Sequence, residues 1–260
     1  MNISFFQTYG DRLPLIKIRK EDVYFKKFIE NFDLNIISLH NPSEIVKQFV
    51  KSNQIFKNSL IFIFNNNSYQ DCIRYLLKFI KKETCKKFFF YQDDTFSNEA
   101  NEENISDLKN LIFNTDYEMI NLSYKTKYLV EEKNTWSEKN KKVLFESKTF
   151  KLFDTNSFDF KESGLYAFDD SCFICNPKIL DSIFDETYLN CSNIWDGENY
   201  LNNKFKNEKI NRFISNVSFF SNINILGRNR HPQGIEILNK KIKISDNTLQ
   251  LLTEYYNSCR

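Results

Sequence analysis

The chain carries little glycine and little proline, five and four residues in 260. No linker rich in Gly, Pro or Ser breaks it, and no internal repeat is visible, so one domain in two halves is expected. A Gly-rich phosphate loop is also missing, because between Thr8 and Lys20 only Gly10 stands. No apolar run approaches the roughly 18 residues that a membrane helix needs. The longest, Ser59–Phe64 and Phe88–Tyr91, are strand-length. Charge of one sign is lacking too: 36 basic residues face 34 acidic ones, for a net charge of +2. A nucleic-acid binder usually carries a clear basic excess, so no nucleic-acid partner is expected. The opening Met1-Asn2-Ile3-Ser4-Phe5-Phe6 has no basic region before its apolar run, so it reads as a first strand rather than a secretory signal. A cytoplasmic protein is expected, with peripheral membrane contact left open.

Cysteines are few and scattered: Cys72, Cys85, Cys172, Cys175, Cys191 and Cys259. Without an export signal they are expected to be reduced thiols. Cys172 and Cys175 form a lone C-x-x-C, but in a strand positions i and i+3 point to opposite faces. A zinc site would want a second pair, and redox chemistry a helix N-terminus.

What is present is ordinary for a globular protein: 41% hydrophobic and 27% charged residues, in a chain long enough to bury a sizeable core. The 27 phenylalanines, with abundant Asn, Lys and Ile, read first as the mark of an AT-rich coding sequence. The first hundred residues alternate regularly. Ile3–Thr8 is strand-like, and Glu21–Phe32 places Tyr24, Phe28 and Phe32 on one helical stripe. Leu34–Leu39 is a strand. Asn41-Pro42-Ser43-Glu44 offers a cap to a helix carrying Ile45, Val46, Phe49 and Val50 inward. Ser59–Phe64 suits a strand covered on both faces. Ser68 can cap a helix with Ile73, Leu76, Leu77 and Ile80 as its buried stripe. Lys86–Tyr91 is a further buried strand. The order β-α-β-α-β-α-β predicts an α/β fold with a mainly parallel sheet.

The second half is mixed and less regular. Asn98–Asp107 reads as an acidic loop before a short helix near Ser106–Phe113. Tyr117–Leu122, Lys127–Val130, Val143–Phe153, Gly164–Phe168, Ser171–Cys175 and Phe213–Phe220 are strand-like. Glu131–Lys142 reads as a charged hairpin or lid, and Pro177–Phe184 as a short helix. Asp196 is placed to cap a helix with Tyr200, Leu201 and Phe205 inside. The basic, aromatic stretch Lys240–Tyr256 suits packing on the domain or on another subunit.

Ligands in parallel α/β sheets bind beyond the carboxyl ends of the strands. Those ends are all polar here: Thr8-Tyr9-Gly10-Asp11-Arg12, His40-Asn41, Asn65-Asn66-Asn67 and Gln92-Asp93-Asp94. Two adjacent carboxylates repel, and strand packing does not call for them. A divalent ion relieves the repulsion and bridges substrate phosphates; the alternative is a solvated turn. Gly10, Gly197, Gly227 and Gly234 border the polar clusters, either as plain turns or where a ligand comes close.

At these residues a family resemblance emerges. The chain resembles glycosyltransferases of the GT-A (Rossmann-like) fold, nearest the family-2-like enzymes. Ser4–Arg12 is similar to their opening strand, which ends in Thr-Tyr-Asn-Arg-like residues that hold the nucleotide. Phe90-Tyr91-Gln92-Asp93-Asp94 is similar to their aspartate motif, in its x-D-D form. Trp195-Asp196-Gly197-Glu198 resembles the later aromatic-plus-acidic motif at a helix start, where inverting members carry the general base. The likeness covers about residues 1–230.

The resemblance implies residues 1–100 as the nucleotide-sugar-binding half, 101–235 as the acceptor half and 236–260 as a C-terminal tail or helix. Thr8, Tyr9, Arg12, His40, Asn65, Gln92 and Asp93 would bind the nucleotide-sugar donor. Asp94 and His231 would hold Mn2+ or Mg2+, with Asp93 left for the ribose or sugar. Arg228 and Arg230 would neutralise the departing diphosphate. The base falls on Asp196 or Glu198, since Gly197 splits the acidic pair usual in the family, and Asp196 serves equally as a helix cap. The implied activity is metal-dependent, inverting hexosyl transfer to a hydroxyl of a carbohydrate or glycolipid acceptor. Two alternatives stay open: a catalytically silent GT-A-like binding protein and a nucleotidyltransferase.

Overall fold

A computed structural model describes residues 1–82, 84–93, 95–97, 102–122, 141–158, 168, 172–208, 212–215, 219–222 and 246–258. Strand β1 (Asn2–Tyr9) buries six successive side chains, Ile3 to Thr8. That is the signature of a strand covered on both faces. Phe88-Phe89-Phe90-Tyr91 in β4 (Lys87–Gln92) is buried in the same way. Alternation sends Phe88 and Phe90 into one apolar layer and Phe89 and Tyr91 into the other. Rings stack across the paired strands, Phe5 on Phe90 with centroids 5.6 Å apart and Phe6 on Tyr91 at 5.2 Å. The phenylalanines expected from coding bias thus supply most of the largest buried side chains of the core, each worth about 2–3 kcal/mol of apolar burial.

Between β1 and β4 lie α1 (Leu13–Glu21), α2 (Val23–Ile29), β2 (Leu34–His40), α3 (Glu44–Ser52), β3 (Ser59–Phe64) and α4 (Tyr69–Lys82). Then follow β5 (Thr95–Ser97), α5 (Glu102–Asn114), β6 (Met119–Asn121), β7 (Val143–Glu146), β8 (Lys151–Asp154) and β9 (Cys172–Cys175). Short helices α6 (Leu180–Ile183) and α7 (Glu186–Leu189) lead into α8 (Ile194–Asn207), followed by β10 (Phe213–Ser215), β11 (Phe220–Asn222) and α9 (Asp246–Ser258).

Among the described residues, nine strands form one sheet in the order β3-β2-β1-β4-β9-β6-β10-β8-β7. Strands β1 to β4 are parallel. β9 lies antiparallel between β4 and β6, and β8 antiparallel beside β10. The sheet is therefore parallel in its first half and mixed in its second, as expected. Cys172 and Cys175 of β9 enter opposite layers. Helices α1, α2, α3 and α5 cover one face; α4 and α6 to α8 cover the other. The C-terminal α9 packs on α1 and buries Leu251 and Leu252. No helix among the described residues is long and apolar enough to cross a membrane.

Several expectations need correction. The helix read over Glu21–Phe32 is α2 alone, because Asp22 leaves helical geometry and its carboxylate accepts from Phe25 N at 2.9 Å. The preceding α1 was not foreseen. Ser43, not Asn41, caps α3, and Ile45 is 66% exposed rather than inward. β3 is an edge strand, with Leu60 and Ile63 partly open to solvent. The acidic stretch after Asn98 is helical from Glu102. Val143–Phe153 is a hairpin, β7 to β8, with a register shift between Val143 and Phe145. Phe213–Phe220 divides between β10 and β11, and β11 pairs with β5 instead of the main sheet. Lys127–Val130, residues 131–140 of the charged segment and all of Gly164–Phe168 except Phe168 lie outside the described residues.

Candidate functional site

Strands β1, β2 and β3 each end in a left-handed turn: Gly10 at φ 52°, Asn41 at 48° and Asn66 at 58°. Glycine and asparagine adopt this geometry at least cost. The turns are tied across strands by Gly10 N donating to His40 O at 2.8 Å, Asn41 N to Phe64 O at 2.8 Å and Asn66 N to Asn41 Oδ1 at 2.7 Å. The result is one polar rim at the carboxyl end of the parallel strands.

Asp93 organises this rim. Its amide donates to Gln7 O at 2.9 Å. Its carboxylate accepts from Thr8 Oγ1 at 2.6 Å, Tyr9 N at 3.2 Å and Arg12 Nη1 at 2.8 Å. The Asp93 side chain has no exposed surface, while that of Arg12 keeps a quarter of its own. Arg12 also lies 5.5 Å from the Tyr9 ring. Four of the expected residues therefore form one hydrogen-bonded unit. The carboxylate expected to meet ribose or sugar points instead into protein donors, leaving Arg12 as the member that reaches solvent.

On the other face of β1, the Tyr9 ring meets His40 edge-on at 5.2 Å and lies nearly parallel to Tyr69 at 6.0 Å. His40 Nε2 bonds the carbonyl of Asn67. A carbonyl only accepts, so Nε2 carries hydrogen. Asn65 is exposed just beyond β3. Gln92 faces Gln7 in register. Behind the rim, Arg19 of α1 is wholly buried, its Cζ 4.7 Å from the Phe25 ring. Desolvation lowers its pKa, and Asp22 is the leading counter-influence.

Tyr69 begins α4, which Ser68 and Asp71 cap reciprocally: Asp71 N donates to Ser68 Oγ at 3.1 Å and Ser68 N to Asp71 Oδ2 at 3.2 Å. The next residue, Gln70, donates from Nε2 to Asn193 O at 3.1 Å, bringing the start of α8 to the rim. Asn193, not Asp196, is the N-cap of α8 and accepts from Asp196 N at 3.0 Å. Asp196 answers through Oδ2, which accepts from Asn193 Nδ2 at 2.8 Å and from Ser192 Oγ. Asp196 is exposed and committed to this cap. Glu198 is half-buried on the helical stripe of Ile194, Gly197, Leu201 and Phe205.

Asp94 and His231 lie outside the described residues, as do Gly227, Arg228, Arg230 and Gly234. Among the described residues no group of three His, Cys, Asp or Glu could hold a metal ion. Asn222 of β11 pairs with Thr95 of β5. Gln7, Ser38 and Tyr69, which the sequence reading did not single out, lie beside Tyr9 and His40 on the same face.

No protein-family description and no curated protein matches the chain. Among solved structures, residues 1–349 of TarS from S. aureus align with a TM-score of 0.53 and 11% identity, over 99% of this chain and 71% of that one. The mannosyltransferase PcManGT from Pyrobaculum calidifontis, in complex with GDP-Man and Mn2+, aligns at 0.49 with 9% identity, over 98% and 69%. An inositol-1-phosphate CTP transferase from T. maritima aligns at 0.46 with 10% identity, over 100% and 98%. The first of these likenesses, with the strand order above, shows a Rossmann-like GT-A fold.

Proposed function

We propose that the chain is a family-2-like glycosyltransferase that moves a hexosyl group from a nucleotide-diphosphate sugar to a hydroxyl of a glycan or lipid-linked glycan. The observation that carries this reading is the Asp93 unit, a buried carboxylate joining the ends of β1 and β4 and aiming Arg12 outward. Arg12 contacts the donor on behalf of Asp93, with Thr8, Tyr9, His40, Asn65 and Gln92 around the nucleotide.

Mn2+ or Mg2+ fits the donor set expected here, because such ions bind through one or two carboxylates and fill their remaining positions with substrate phosphates. Asp94, with His231 as second ligand, would hold it; when bound, the ion stabilises charge building on the leaving diphosphate. Arg228 and Arg230 would add fixed positive charge to the same group.

Glu198, rather than Asp196, takes the proton from the acceptor hydroxyl. It stands on the inner stripe of α8, whereas the Asp196 carboxylate is engaged by Asn193 and Ser192. Attack opposite the leaving group through an oxocarbenium-like transition state gives inversion. A catalytically silent GT-A-like binding protein is the second reading, favoured by the same engagement of Asp196.

Calorimetry with Mn2+ and a panel of UDP- and GDP-sugars, followed by an assay for released nucleotide, tests the proposal. Metal-dependent binding and nucleotide release are expected in the wild type, with both lost in Asp94→Ala. A wild type that binds no nucleotide-sugar defeats the reading, and binding without release leaves the silent protein.

A further inference from the structure

Among the described residues the large sheet has two outer strands, β3 and β7, and they differ in kind. An outer strand offers a row of unpaired N–H and C=O groups to any strand that meets it. Proteins blunt that row with short length, charge, proline or a bulge. β7 has three of these devices. It is four residues long, Lys141 and Lys142 precede it and Glu146 ends it, and its register shifts between Val143 and Phe145. β3 has none. Its six residues, Ser-Leu-Ile-Phe-Ile-Phe, run in unbroken register with β2, and no charged residue or proline stands between Lys57 and Asp71.

Asn58 O accepts from Asn35 N, and Phe64 O from Asn41 N, so both carbonyls turn toward β2. Successive residues of a strand turn their N–H and C=O to alternate sides. Those of Ser59, Ile61 and Ile63 therefore face outward. The side chains along this edge are apolar and open: Leu60 is 41% exposed and Ile63 37%. Tyr75 of α4, 51% exposed, stands edge-on to Phe62 and Phe64 with centroids at 5.2 and 5.7 Å.

We propose that β3 pairs with β3 of a second copy of this chain, antiparallel and centred on Ile61, giving the dimer one continuous sheet. A two-fold axis normal to the sheet reverses the strand and keeps its faces, so the edge must complement itself. Centring on Ile61 opposes Ile61 to itself, Ser59 to Ile63 and Leu60 to Phe62, each pair on one face. The three outward-facing residues then fall in hydrogen-bonded pairs, for about six backbone bonds. Leu60 gains an aromatic neighbour, and the Tyr75 ledge flanks the seam. Lys57, the nearest charge, lies opposite Asn65, so no like charges meet. A lipid surface would cover the apolar side chains and leave the outward N–H and C=O groups unpaired; a strand satisfies both. The two carboxyl-end rims face opposite ways along the strands, so each stays open.

Sedimentation velocity of the full chain across a wide concentration range, beside amide hydrogen exchange, tests the pairing. The wild type is expected to dimerise. The amides of Ile61 and Ile63 should exchange slowly in the dimer and fast on dilution, while those of Leu60 and Phe62, turned to β2, stay protected throughout. Ile63→Lys sets a lysine diagonal to Lys57 of the second copy and should weaken the dimer by about tenfold or more. Ile63→Pro removes only an outward N–H, which an outer strand tolerates. It should be monomeric, with a urea midpoint close to that of the diluted wild type. Should either variant fail to fold, the dilution series on the wild type decides alone. A wild type that stays monomeric overturns the pairing. So does a dimer whose Ile61 and Ile63 amides exchange freely, or folded variants that dimerise as the wild type does.

Discussion

Asp93 Oδ1 and Arg12 Nη1 meet at 2.8 Å, one side chain wholly enclosed and the other a quarter exposed. Breaking such a pair from the buried side strips Thr8, Tyr9 and Arg12 of a shared acceptor. Removing one partner of a buried ion pair costs about 3–5 kcal/mol, and the exposure of Arg12 places this case at the lower end. Asp93→Ala is therefore expected to lose about 3 kcal/mol. Asp93→Asn keeps the size and one acceptor oxygen, so it should lose less. Urea denaturation of both variants checks the order, and an Asp93→Ala protein as stable as the wild type contradicts the clasp.

Gly197 stands in the first turn of α8 against the Tyr188 ring. A Cβ there would come within 2.9 Å of Tyr188 Cε2 and 3.6 Å of Gln70 Nε2. Alanine favours a helix by about 1 kcal/mol over glycine, but overpacking costs about 1–3 kcal/mol, and the buried ring has little room to yield. Gly197→Ala should be net destabilising by about 1 kcal/mol. Pairing it with Tyr188→Leu should reverse the sign, because the obstructing ring is gone. A stabilised single variant would show that the ring moves freely.

Buried thiols set an alkaline limit. Desolvation raises Cys72 from 9.0 to about 12 and Cys85 to about 11. Below about pH 9 both thiols are protonated in the folded and unfolded chain alike, and the stability they protect is fully present. Above that pH the unfolded chain loses protons that the folded one keeps, so stability falls until the folded thiols ionise, by up to about 1.4 kcal/mol per group per pH unit. The urea midpoint should hold steady near neutrality and drop through the range toward pH 11. The Cys72→Ala/Cys85→Ala protein should drop less steeply, and equal slopes would assign the loss to other groups.

How far the sequence could be read depended on where the decisive forces lie. β4 was legible because a strand buried on both faces reads as an unbroken apolar run, and α4 because Ser68 and its stripe are local signals. The same logic misread β3: an apolar run does not say whether a neighbour strand exists, and β3 has one on a single side. α1 was missed because its buried residues include Arg19, a residue that pattern reading assigns to solvent. β6, β8, β9 and β10 are three or four residues long and owe their existence to long-range pairing. In the site, Thr8, Tyr9, Arg12 and Asp93 could be grouped from strand ends alone.

The two acidic residues of the first turns of α8 stand in different surroundings. Asp196 completes a reciprocal cap with Asn193 and Ser192 on the exposed side of the helix, and caps of this kind are worth about 1 kcal/mol. Glu198, two residues on, is half-buried on the helical stripe of Ile194, Leu201 and Phe205. Proton removal by a positioned carboxylate contributes about 100- to 10,000-fold to a rate. Glu198→Gln should therefore lower kcat by about 100-fold or more while leaving donor affinity and stability close to wild type. Asp196→Ala should do the opposite, losing about 1 kcal/mol of stability with little change in kcat once folded. Steady-state kinetics on the acceptor found by nucleotide release, run beside urea denaturation, distinguishes the two. If Asp196→Ala abolishes turnover while Glu198→Gln does not, the base is Asp196 and the cap opens when acceptor binds.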